Sequence, residues 1–167
     1  MKRIFSALSA VLILLSLAAC KTTTPLRLPV IQEYIKNTKA VHENVKYVYV
    51  GYYGGGLAME IGMKVLEDAE VEAILGDFKV VAADKTFQED FFEIYGSWTQ
   101  RSGDLVWGVG WRPHITVFFN DAGGHTLYDY TAYYYAGGYN PNIDTVDEEK
   151  LSKIDGYTTW YGGKRDY

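Results

Sequence analysis

Residues 57 to 65 read Leu-Ala-Met-Glu-Ile-Gly-Met-Lys-Val. Leu57, Met59, Ile61, Met63 and Val65 alternate without a break against Ala58, Glu60, Gly62 and Lys64. A period of two sends every apolar side chain to one face of an extended chain, so this segment is predicted to be a strand with one face in a core. The run before it, Val45 to Tyr53, is β-branched and aromatic on both faces. Gly54, Gly55 and Gly56 lie between the two runs, and a hairpin with a glycine turn is the economical reading.

The same periodicity returns further on. Leu105, Trp107, Val109 and Trp111 alternate, Pro113 breaks the run, and Ile115, Val117 and Phe119 resume it. Asp121-Ala122-Gly123-Gly124 is a strong turn, and His125 to Tyr135 alternates once more. On that last segment Leu127, Thr131, Tyr133 and Tyr135 share one face, with Tyr128, Tyr130 and Tyr134 on the other. The end of the chain, from Thr158, reads as an edge strand or a frayed tail.

Helical spacing appears between the strands. Pro29 to His42 has Val30, Ile31, Tyr34, Ile35, Thr38 and Val41 along one side. Leu66 to Leu75 predicts a short helix stopped by Gly76. Phe78 to Ala82 resembles a brief strand, and Thr86 with Glu89 has the capping-box form ahead of a helical stripe of Phe87, Phe91, Phe92 and Tyr95 that Gly96 would end. A second capping box, Thr145 with Glu148, precedes a short helix ending near Gly156. Hairpins with helices set apart imply an α+β fold: a twisted antiparallel sheet of about five to seven strands, a few short helices on one face and a tyrosine-rich outer face. Residues 30–167 are expected to form that one domain.

The chain's one cysteine is Cys20. It follows a basic start, Lys2-Arg3, and an uncharged apolar run from Ile4 to Ala19, shorter than the roughly 20 residues needed to span a bilayer. Basic residues, a short apolar run and small residues, in that order, are the pattern of an export signal. The segment Leu17-Ala18-Ala19-Cys20 resembles the lipobox of bacterial lipoproteins. That resemblance implies a signal peptide over 1–19, cleavage before Cys20, and acyl chains on its thiol and new amino terminus. Two or three chains anchor stably where one is marginal, at about 0.8 kcal/mol per buried CH₂. Residues 20–29 would then be the acylated cysteine and its tether, and the mature domain would have no thiol for a disulfide. Lys21, rather than Asp, after the cysteine leans toward the outer membrane, facing the periplasm, in a Gram-negative cell.

Charge narrows the partners. The whole chain carries −5, and Lys2 and Arg3 lie in the leader, so the mature part is more acidic by two charges. That opposes both a nucleic-acid footprint and a polybasic membrane patch. Residue patterns offer no cofactor and no metal cluster. His42, His114 and His125 have no ligand spacing, although His114 and His125 could face each other across a hairpin. Ser97, Ser102 and Ser152 sit in no nucleophile elbow. Glu60, Asp90, Glu93 and Asp129 are candidate acids, of a kind that any acidic domain supplies. Gly54 to Gly56 lacks the Gly-Lys-Ser/Thr ending of a phosphate loop.

Fifteen tyrosines exceed what a core requires. Tyr128, Tyr130, Tyr133 and Tyr135, with Trp107 and Trp111, are the candidate binding residues, because Tyr and Trp give large contact area at low entropy cost. The expected function is a non-enzymatic envelope lipoprotein, tethered through Cys20, that binds an envelope protein through an aromatic sheet face. The alternatives are a peptidoglycan, glycan or small-ligand binder using the same face, and an unrecognised hydrolase.

Overall fold

The computed structural model describes residues 24–53, 55–102, 112–134 and 156–165. In chain order the elements are β1 (Thr24–Pro25), α1 (Pro29–Val41), β2 (Val45–Tyr53), β3 (Gly56–Met63), α2 (Asp68–Ala83), α3 (Lys85–Ser102), β4 (His114–Asn120), β5 (Thr126–Ala132) and β6 (Trp160–Lys164). The strands make one open mixed sheet in sequence order, five full strands with the two-residue β1 beside β2. The class is α+β, as the patterning implies. One pairing departs from the antiparallel expectation: β3 and β4 run parallel. The reason is topological, since a parallel neighbour needs a long crossover, and α2 and α3 supply it.

The hairpin of β2 and β3 forms where the alternation places it, with Tyr53 opposite Gly56. Leu57, Met59, Ile61 and Met63 are all buried, and so are Ile115, Val117 and Phe119 of β4. These residues join Ile31 and Tyr34 of α1, Val71, Ile74, Leu75 and Phe78 of α2, and Phe87 and Phe91 of α3 in one apolar cluster. Val65, the last member of the alternating series, lies past the strand end and is exposed.

Two glycines were expected to stop helices and do not. α2 passes through Gly76, and Phe78 to Ala82 is helix rather than strand. Val71, Ile74, Leu75, Phe78 and Ala82 form one continuous stripe at helical spacing, and all five are buried. Burying that stripe outweighs the roughly 1 kcal/mol that a mid-helix glycine costs. α3 likewise continues through Gly96 to Ser102. Its start is capped by Asp84, whose Oδ1 accepts the Phe87 N–H at 2.8 Å, and not by Thr86.

The chain before α1 is part of the fold. Thr24 and Pro25 pair with Tyr52 and Gly51, the Leu26 N–H bonds the Val50 carbonyl at 2.9 Å, and Leu26 and Leu28 are buried. The composition of residues 24–28 suggests a tether, but Leu26 and Leu28 alternate across Arg27 and insert into the core. The expected strand over 105–111 and helix over 145–156 lie outside the described residues, apart from Gly156.

Candidate functional site

The sheet has a helix-covered face and an outer face, and strand register assigns residues to each. Successive side chains alternate across a strand, and cross-strand partners share a face. One transverse row of the outer face is Gly51, Ala58, Thr116, Thr131 and Tyr161. The next is Tyr49, Glu60, Phe118, Asp129 and Gly163. Beyond it Tyr47 lies over Gly62, and the Asn120 amide donates to the Tyr47 hydroxyl at 3.2 Å. Towards the opposite end, His114 and Tyr133 bring their rings within 6.0 Å, and Tyr133 reaches Tyr161 at 6.2 Å. The Thr116 and Thr131 hydroxyls meet at 3.2 Å beside that ring cluster. The middle of this face is covered, with Ala58 at 3% exposure, whereas Tyr47 and Tyr161 at its two sides are each 41% exposed.

The candidate tyrosines divide between the two faces. Tyr133 belongs to the outer ring cluster. Tyr128 and Tyr130 lie on the helix-covered face, buried and edge-on to Phe119. They follow the parity read from the sequence, but the set as a whole does not form one surface. Tyr52 is also inside, against Phe91 and Tyr95. Tyr135, Trp107, Trp111 and Cys20 lie outside the described residues.

The buried tyrosines have a role that sequence patterning did not reveal. The Tyr128 hydroxyl donates to Asp68 Oδ1, which also accepts the Lys164 ammonium at 3.1 Å. The Tyr130 hydroxyl donates to Glu72 Oε1 at 2.7 Å. Two carboxylates at i and i+4 of α2 therefore meet two tyrosines at i and i+2 of β5. The signal was present as spacing: four helix residues rise about 6 Å and two strand residues about 6.8 Å, so the pairs match when helix and strand align. Tyr128 is raised chiefly by its bond to Asp68, and Tyr130 is raised chiefly by burial and then by Glu72. Asp68 is held below its usual range by Tyr128 and then Lys164, and Lys164 is raised by Asp68.

These directions set a pH window. A depressed Asp68 contributes stability above its unfolded value of 3.8 and loses it as pH falls through the folded one. A raised Lys164 contributes below 10.5 and loses it as pH rises through its folded value. Asp68→Asn is therefore expected to lower Tm by a few degrees at most near neutrality, because the pair is solvent-screened. The difference from wild type should shrink progressively as pH falls below 3.8 toward the depressed folded value, as the carboxyl becomes protonated. Thermal melts of both proteins from pH 3 to 9 check this.

The remaining candidates do not converge. His114 starts β4 and His125 precedes β5, so they stand at opposite ends of that hairpin rather than facing each other. Burial lowers the His114 pKa. His125 instead closes the Asp121 turn, where Asp121 Oδ1 accepts the Gly123 and His125 N–H groups, each at 2.8 Å. That turn and Arg165 border an open hollow of about 370 Å³, also lined by Thr126 and Leu127. Glu60 and Asp129 lie on the outer face, with Asp129 accepting from Arg165 at 2.6 Å, while Asp90 and Glu93 are exposed on α3. Among the described residues no three His, Cys, Asp or Glu side chains group as metal ligands. No helix among them is long and apolar enough to cross a membrane.

Comparison with family models, with curated proteins and with solved structures finds no match to this chain.

Proposed function

We propose that this protein is a lipid-anchored component of a bacterial cell envelope whose domain binds another envelope protein and catalyses no reaction. The observation that carries the anchor is the order of Lys2-Arg3, the uncharged run and Leu17-Ala18-Ala19-Cys20. An outer-membrane position facing the periplasm rests on Lys21 and belongs to the same proposal. Cys20→Ser is expected to move the protein from the membrane fraction to the soluble one, and mass spectrometry of the wild-type amino-terminal peptide should show the acyl mass. An unmodified Cys20 would remove the anchor from the proposal.

The recognition surface is the outer sheet face, with Tyr47 on one side and the His114, Tyr133 and Tyr161 cluster on the other. Half-exposed rings around small residues provide contact area without the rotamer entropy that long side chains lose. Photo-crosslinking residues introduced at positions 47 and 161 should capture one partner in intact cells, and a probe at exposed Val80 on α2 should not. One observation favours a glycan as the second reading: the Thr116 and Thr131 hydroxyls adjoin the Tyr133 and Tyr161 rings, a pairing of stacking surface with hydroxyls that suits a sugar. Peptidoglycan retention that drops with Tyr133→Ala would favour that reading over a protein partner.

A further inference from the structure

We infer that the end of the sheet carrying Tyr134 and Trp160 is held in the headgroup layer of the bilayer. This inference rests on the acylation of Cys20 and adds an orientation to it. One transverse row crosses the whole sheet: Thr24, Tyr52, Leu57, Ile115, Ala132 and Trp160. β1 runs antiparallel to β2, so the chain from Cys20 reaches this row from the side on which β2 ends and β3 and β4 begin.

The connecting chain is short. Cys20 and Thr24 are four residues apart, and four extended residues span at most about 14 Å. The Tyr53–Gly56 pair of the β2–β3 hairpin already projects one residue past the row, or about 3.4 Å at strand rise. The sheet end therefore lies within about 11 Å of the level of the acylated cysteine and is the end of the domain nearest the bilayer surface.

The residues at that end suit an interface. Tyr134 follows β5 and Trp160 opens β6, and both are half-buried on the helix-covered side. Amphipathic rings of this kind settle at headgroup level. Tyr134 is braced by Phe92 at 5.0 Å and Tyr157 at 5.3 Å, and Arg112 stacks over Phe92 at 4.7 Å. The α2–α3 junction reaches the same end, because Phe78, near the end of α2, packs on Trp160 at 6.1 Å, and it brings exposed Lys85 beside Asp84. Long cationic side chains can reach lipid phosphates from such positions. The outer face from Thr116 to Tyr47 then rises away from the bilayer, with the Tyr47 ring 41% exposed.

The test uses the acylated full-length protein, purified from membranes and reconstituted into phosphatidylcholine–phosphatidylglycerol vesicles with a headgroup spin-labelled lipid. The Cys20 sulfur is consumed by its thioether, so an introduced cysteine is the sole free thiol for a fluorophore. Thr158→Cys and Thr86→Cys place it at the proposed contact, and Ala122→Cys places it in the turn beyond β4, about six strand residues or 20 Å away. All three positions are exposed. We expect quenching at 158 and 86 to exceed that at 122 severalfold. Equal quenching at all three sites, in protein that floats with the vesicles, would overturn the orientation and leave the anchor standing. Protein that does not float, with Cys20 unmodified by mass, would overturn the anchor and the orientation together.

Discussion

Phe78→Ala is expected to destabilise the domain by about 3–5 kcal/mol, the usual cost of emptying a fully buried aromatic site. Phe78 is completely buried and packs on Tyr34 of α1 at 5.2 Å and Trp160 of β6 at 6.1 Å. One ring thus joins the first helix, the second helix and the last strand. The cavity cannot close by a local shift, because three separate elements border it. Urea titration should show a lower midpoint with little change in slope, and Tm should fall on the order of ten degrees or more. Val80→Ala is the control. In a strand, residues 78, 80 and 82 would share a face, whereas in α2 only Phe78 and Ala82 turn inward and Val80 is 73% exposed. Val80→Ala should stay within about 0.5 kcal/mol of wild type. Equal losses at both positions would contradict the helix.

The second large effect is expected at Gly56. A Cβ there would lie 1.9 Å from the His114 carbonyl oxygen, a backbone atom of the parallel neighbour. Nothing in that contact can rotate away, so Gly56→Ala must push β3 and β4 apart where their pairing begins. We expect a loss of about 3 kcal/mol or more, at the upper end for overpacking. Gly62 makes an instructive comparison. Its added Cβ would come within 2.1 Å of the Tyr47 ring, but that ring is partly exposed and can swing outward. Gly62→Ala should cost about 1 kcal/mol, largely through the lost Asn120–Tyr47 hydrogen bond. Chemical denaturation of the two variants side by side checks the order. A reversed order would mean that β3 and β4 are not in the described register.

Both predictions show where sequence reading succeeds and fails. The alternation from Leu57 to Met63 was legible because a period of two depends on one strand and one core, and each residue declares its face locally. α2 was harder. Its buried stripe runs from Val71 to Ala82, but the sequence reads as a helix from Leu66 to Leu75 stopped by Gly76, and Phe78 to Ala82 is β-branched and aromatic enough to suggest a strand. Local propensity and tertiary burial disagreed, and burial prevailed.

The tyrosines show the same limit at the candidate site. Residue type marks Tyr128, Tyr130, Tyr133 and Tyr161 alike as ring-bearing and amphipathic. Parity separates Tyr128 and Tyr130 from Tyr133 but cannot say which face a helix will cover. α2 decides that, with Asp68 and Glu72 accepting the two inner hydroxyls.

The amino-acid sequence by itself determined the α+β class, the β2–β3 hairpin and the lipobox resemblance at Cys20, because each is written in neighbouring residues. The tertiary structure alone decided that β3 and β4 run parallel, that residues 24–28 belong to the sheet and core, and which tyrosines face outward. Those outcomes depend on contacts between segments tens of residues apart, and the free energy of burying a face belongs to the pair of elements that meet there, not to either stretch of chain alone.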